Sequence, residues 1–267
     1  MRTPTTMIGT LILLTWVATG AVSAQPATIK YKSGDTAMVG YLARPLGQVG
    51  RAPGILVVPD WMGLGPYARR RADELAGLGY VALAVDMYGG GKMANDNTEA
   101  AQLAGDLKKG DRAELRRRAT AALETLTGLP QVDTNRLAAI GYCFGGTVVL
   151  ELARGGAPLK GVVSFHGGLD TPSLAKTGMV QAAVLVCHGA DDPFVPKKDV
   201  EAFQAEMREA GADWQMILYS GAVHSFTKPE AGSDPSSGQA YNANADHRSW
   251  TLMQQFFKEI FAPRWPL

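Results

Sequence analysis

The chain has 267 residues, 46% of them apolar, and a formal net charge of +1. That is enough apolar material for a sizeable core, and the near-neutral balance argues against nucleic acid as a partner. The one dense basic run, three Arg at 116–118, falls in an Ala/Leu helical pattern and reads as a solvated helix face.

In chain order, Arg2 precedes an apolar stretch from about Met7 to Ala18, and Val22-Ser23-Ala24 follows. A charged start, a short apolar run and a small-x-small site resemble a secretory signal peptide. The run is shorter than the roughly 20 residues of a membrane span. Residues 1–24 are therefore expected to be removed and 25–267 to form a single domain, exported to the periplasm or the exterior and free of the membrane. A monomer is expected. Residues 28–44 read as a hairpin turning at Gly34-Asp35. Beyond it, strand-length apolar runs alternate with helical patterns. The runs are GILVVP (54–59), YVALAVD (80–86), RLAAIGY (136–142), KGVVSF (160–165), AAVLVCH (182–188) and WQMILYS (214–220). The helical patterns cover 67–78, 98–107, 111–127, 146–154, 197–210 and 246–261. Near-continuous apolar strands alternating with helices predict an α/β fold, with a mostly parallel sheet covered on both faces. Segments 89–97 and 228–245, rich in Gly, Asn, Ser and Pro, read as surface loops.

In an open parallel sheet the chemistry collects beyond the carboxyl ends of the strands. There the sequence offers Asp60, Asp86, Cys143, His166, Cys187, His188, Asp191, Asp192 and His224. Gly141-Tyr142-Cys143-Phe144-Gly145-Gly146 is the most informative stretch, because a strand ends and a helix begins across it. A nucleophile at such a turn must stand up from the sheet, and small residues two before and two after it let strand and helix approach. The N–H of Phe144, at the helix start, can then donate to an oxyanion, and the helix terminus favours a thiolate. The other reading of Cys143 is a packed, inert thiol. A nucleophile needs a base and an orienting carboxylate, in the chain order nucleophile, acid, base. His224 in GAVHSF is the candidate base, and Asp192 in HGADDPFVP the candidate orienter, with Asp191 as its rival. His166 and His188 abut strands and read as satisfied core histidines; His247 reads as solvated. Cys143 and Cys187 end different strands, and nothing in their spacing brings them together as a disulfide.

Taken together, GYLARP, VVPDWMGL, GYVALAVDMYG, GYCFGG, HGADDPFVP and GAVHSF make the chain resemble the dienelactone hydrolase family of α/β-hydrolases over most of residues 25–267. The resemblance implies an α/β-hydrolase fold with an N-terminal antiparallel hairpin and a Cys143–Asp192–His224 triad. It also implies a second oxyanion donor, the N–H of Trp61. The family commonly carries Glu beside the thiol to control its ionisation; this chain has Asp60 there. The family's substrate-binding arginines are replaced by candidates Lys228 and Lys92, which lack the bidentate fork. The expected activity is hydrolysis of a small ester or lactone through a thioester acyl-enzyme, with no cofactor and no metal. The rival readings are a broad exported carboxylesterase or thiol amidase, and a non-catalytic binding protein on a hydrolase scaffold.

Overall fold

The structure, a computed structural model, describes residues 24–262. The expected signal peptide lies outside the described residues, apart from Ala24, which opens the first strand. The strands are β1 (Ala24–Ser33), β2 (Thr36–Pro45), β3 (Ala52–Val58), β4 (Val81–Ala84), β5 (Val132–Tyr142), β6 (Gly161–Phe165), β7 (Ala183–Gly189) and β8 (Trp214–Tyr219). The helices are α1 (Pro66–Gly77), α2 (Asn97–Lys108), α3 (Ala113–Thr127), α4 (Phe144–Arg154), α5 (Lys197–Glu209) and α6 (Ala243–Phe261).

All eight strands form one sheet in the order β1-β2-β4-β3-β5-β6-β7-β8. The first two are an antiparallel hairpin closed by two residues, and Gly34 supplies the positive φ (58°) that so short a turn requires. β2 joins β4 antiparallel, and every pair from β4 onward is parallel. This is the α/β-hydrolase arrangement that the sequence predicts. β5 begins at Val132 rather than at residue 136, because Ala52 and Pro53 pair with Val132 and Asp133 before the register shifts.

Side chains alternate across the sheet, so each buried strand feeds two cores. Leu56 and Val58 of β3 face one core, built with α2, α3, α4 and α5; Ile55 and Val57 face the other, built with α1 and α6. Phe257 and Leu75 in one core and Leu115 and Val148 in the other are fully buried; such side chains contribute about 1.5–3 kcal/mol each relative to exposure. The Arg run on α3 is not simply solvated. Arg116 reaches Glu151 of α4 at 2.8 Å and Arg118 donates to the Met87 carbonyl at 2.8 Å, while Arg117 stays about half exposed. Glu151, fully buried on α4, also receives Arg112 and Arg154. This ion-pair cluster ties α3 and its leading loop to the helix that starts at Phe144. No helix of the described residues is long and apolar enough to cross a membrane.

Candidate active site

The turn after β5 is built as the glycine spacing demands. Cys143 sits at φ 53°, ψ −116°, a strained conformation for a residue with a side chain. A Cβ on Gly141 would lie 2.0 Å from the Gly145 carbonyl oxygen, and one on Gly145 would lie 2.2 Å from that of Val58. Only hydrogen fits at either position, so strand and helix meet closely enough to push the thiol out. α4 begins at once with Phe144.

The loops after β7 and β8 bring the other two groups to this sulfur. His224 Nε2 is 3.0 Å from Cys143 Sγ, and its Nδ1 is 2.8 Å from Asp192 Oδ2. The second carboxylate oxygen of Asp192 accepts the N–H of Phe194 at 2.9 Å, so the carboxylate is held from both sides. Asp191 accepts instead from the Gly221 N–H at 2.9 Å, so of the two carboxylates it is Asp192 that reaches the imidazole. Burial alone would lower the His224 pKa, but the Cys143 sulfur and the Asp192 carboxylate outweigh it and hold the imidazole up at about 10.

Trp61 and Phe144, the two residues whose N–H groups the sequence singles out, line the same cavity as the sulfur. Among the described residues neither the Trp61 N–H nor the Phe144 N–H has a hydrogen-bond partner. Tyr88, which the sequence reading did not single out, supports both. Its hydroxyl donates to the Trp61 carbonyl at 2.6 Å, and its ring stacks on Phe144 with centroids 6.2 Å apart. Tyr88 is itself held by the buried Asp86, whose carboxylate collects the N–H groups of Val39, Tyr88, Gly89 and Gly91. The cavity measures about 700 Å³, and Met62, Phe194 and Val195 add apolar wall.

This arrangement agrees with what the chain is similar to. Residues 38–261 match the dienelactone hydrolase family. The chain belongs to the dienelactone hydrolase family. Among solved structures it is similar to m3DLH (45% identity, 90% of this chain and all of that one, TM-score 0.86). It is equally similar to a dienelactone hydrolase-like promiscuous phosphotriesterase, P91, from metagenomic libraries (44% identity, the same coverage, TM-score 0.86). A Bradyrhizobium protein named a probable 2-oxo-3-(5-oxofuran-2-ylidene)propanoate lactonase is 30% identical over 70% of this chain and 77% of its own length.

As a dienelactone hydrolase family member the chain is a hydrolase, and a small-molecule lactone or ester substrate is in keeping with that family. Its candidate charged residues are distributed unevenly. Asp60 and Lys228 both line the cavity, but they bind each other, with Lys228 Nζ 2.6 Å from Asp60 Oδ2. The other Asp60 oxygen accepts the Met62 N–H at 2.8 Å, so the carboxylate is bonded to these groups and not to the sulfur. Lys92 is outside the cavity lining and pairs with Glu99 at 2.8 Å; the lysine that reaches the wall from that side is Lys108, at the end of α2. It falls one residue past the helical pattern of 98–107, and nothing in the sequence marks it. His188 is buried, and burial lowers its pKa; His247 is exposed on α6. Both cysteines are free, and Cys187 is fully buried with its pKa pushed up to about 12 by desolvation. No group of three His, Cys, Asp or Glu that could hold a metal occurs among the described residues.

Proposed function

We propose that this protein hydrolyses carboxylic esters or lactones through a Cys143–His224–Asp192 triad. The observation that carries the reading is the unbroken chain from Asp192 through both nitrogens of His224 to the Cys143 sulfur, at 2.8 and 3.0 Å. Cys143 attacks the carbonyl carbon as a thiolate paired with the His224 imidazolium. The Trp61 and Phe144 N–H groups receive the oxyanion as it forms, and one such donor is worth about 3 kcal/mol. The tetrahedral adduct collapses, the carbonyl re-forms, and the alkoxide leaves with the proton from His224 Nε2. A thioester to Cys143 remains. His224, now neutral, takes a proton from water, whose oxygen attacks the thioester, and the acid departs as the thiolate–imidazolium pair is restored. Throughout, Asp192 holds the imidazole in one orientation and offsets its charge.

Asp60 and Lys228 extend the proposal. On the cavity wall, the Asp60 carboxylate biases the ionisation of the nearby thiol, with Lys228 damping its charge, and Lys228 is the candidate contact for a polar substrate group. Lys92 is retained as a contact only for a substrate long enough to pass Glu99. Asp60→Asn should then shift the pH dependence of Cys143 alkylation; an unmoved profile removes this role.

The test of the main reading is a panel of lactones, aryl esters, amides and one phosphotriester, the last chosen because of what P91 is named for. Parent protein and Cys143→Ala are compared on each. Loss of hydrolysis in Cys143→Ala, with an acyl mass on Cys143 in the parent, is expected; full activity in Cys143→Ala overturns the nucleophile. We also propose export with cleavage after Ala24, which N-terminal sequencing starting at Met1 would contradict.

A further inference from the structure

Three strands' worth of distance separates the nucleophile from its base. Cys143 follows β5, Asp192 follows β7 and His224 follows β8, and neighbouring strands lie about 4.8 Å apart. The loops after β7 and β8 must therefore lean back over β6 to bring His224 within 3.0 Å of the sulfur. His166 is the residue that follows β6.

His166 is buried, and both of its ring nitrogens are engaged. Nδ1 accepts the backbone N–H of Cys143 at 3.1 Å, a donor it shares with the Phe165 carbonyl at 3.0 Å, while Nε2 meets Thr227 Oγ1 at 2.8 Å. An Nδ1 that accepts must be bare, so the proton sits on Nε2 and Nε2 donates to Thr227. Thr227 lies three residues beyond His224 on the same loop, and it is pinned in turn. Tyr67 Oη is 2.6 Å from its hydroxyl, and Arg71 donates to its carbonyl at 3.1 Å. The His166 ring also packs edge-on against His224, with centroids 5.3 Å apart.

Backbone strain points the same way. Four described non-glycine residues have a clearly positive φ, and three of them are Cys143 (53°), His166 (41°) and Ser225 (59°). Such a conformation is strained for a residue with a side chain and persists where the surroundings over-determine it. The strain at Cys143 exposes the thiol, and Ser225 adjoins the base. That at His166 has no place in the triad. It is held by the ring contacts and by the His166 N–H, which donates to the Cys187 carbonyl at 2.8 Å.

We propose that His166 is a positioning residue: it ties the backbone of the nucleophile to the loop carrying the base, and so sets the sulfur–imidazole contact. This rests on the triad reading above. Burial pushes the His166 pKa well down, and the positive charge of His224, Arg71 and Lys228 pushes it further, so the ring stays neutral and keeps both roles.

The test is the rate of Cys143 alkylation by iodoacetamide against pH, which needs no turnover. Asp192, Asp60, Lys228, His188 and Tyr88 also surround the sulfur and His224 and are left unchanged. His166→Asn keeps an acceptor near Nδ1 and loses Thr227; His166→Gln keeps a donor near Nε2 and loses the Cys143 N–H; Thr227→Val removes the far acceptor. A looser contact leaves less thiolate in weak acid and the same amount in strong base. Each variant should therefore move the acid limb upward by half a unit or more, about threefold in rate at pH 6.5, with rates converging at high pH. A histidine that merely fills the core would lower the melting temperature and leave the limb in place. Folded His166→Asn and His166→Gln with the parental limb overturn the proposal, as does a folded Thr227→Val with the parental limb if the His166 variants do not fold. A failed triad would show differently, as hydrolysis surviving in Cys143→Ala.

Discussion

Removing the Tyr88 hydroxyl tests the oxyanion site without touching any reacting group. In Tyr88→Phe the ring still stacks on Phe144, and the 2.6 Å bond to the Trp61 carbonyl is lost. A neutral hydrogen bond of this kind contributes about 1 kcal/mol net, and leaving its buried acceptor unpaired costs somewhat more. The Trp61 N–H, if wholly misplaced, would forfeit about 3 kcal/mol of transition-state stabilisation. It will not be wholly misplaced, because Met62 and Gly63 still donate to Asp60 at 2.8 and 3.1 Å and hold the same turn. The expected loss lies between, about 1–2 kcal/mol, or roughly five- to thirtyfold in kcat. KM should change little, since the oxyanion is absent from the ground state. Steady-state hydrolysis of an aryl ester measures this. Alkylation of Cys143 by iodoacetamide forms no oxyanion and supplies the control. The reasoning fails if kcat stays within twofold of the parent, or if alkylation slows by the same factor as hydrolysis.

Two further outcomes follow from the site. Asp192→Asn keeps an acceptor for the Phe194 N–H but presents the wrong partner to His224 Nδ1. It should lower kcat by on the order of 10⁴, and a loss under tenfold would show that Asp192 does not orient the base. The raised His224 pKa also has a sign. A histidine raised from its ordinary value to about 10 adds stability that is full below about pH 6.5 and is lost as pH rises through 10. The parent's melting temperature should thus fall more between pH 7 and 10.5 than that of Cys143→Ala, which lacks the sulfur partner; parallel curves would contradict the ion pair.

The parts of this architecture that repeat along the chain were readable in it. Apolar runs such as GILVVP and KGVVSF each became a buried strand, and the Gly-x-Cys-x-Gly spacing anticipated the contact of Gly141 with the Gly145 backbone. What was not readable depends on which residues meet across the fold. Asp60 and Lys228 were read as separate agents, one for the thiol and one for substrate, because 168 positions separate them; their 2.6 Å pairing couples the two roles. Tyr88 falls between the strand run that ends at Asp86 and the glycine-rich segment 89–97, so neither pattern marks it. Its position is fixed by Asp86, a carboxylate whose four N–H partners include Val39 of the hairpin. His166 was read as a satisfied core histidine. It is satisfied, but by the nucleophile's own N–H and by the loop of the base.

The segment at 228–245 carries the same lesson into the support of His224. Its Gly, Ser and Pro content marks a surface loop, and its 3-10 turns at Pro229–Ala231 and Pro235–Ser237 are short and have no buried residue. Yet the backbone of His224 is anchored there, donating to the Gly238 carbonyl at 3.1 Å and accepting from the Ala240 N–H at 3.0 Å. His224 is thus fastened on two sides, by the buried Gly238 and Ala240 of this loop through its main chain and by the His166–Thr227 contact on the other. Each fastening constrains a different freedom. The main-chain bonds act on the backbone of His224 itself, and the buried contact acts on the loop three residues beyond it. Under the proposed triad the 3.0 Å sulfur–imidazole distance depends on both, which accounts for the specific positions of residues to which the proposal gives no chemistry of their own.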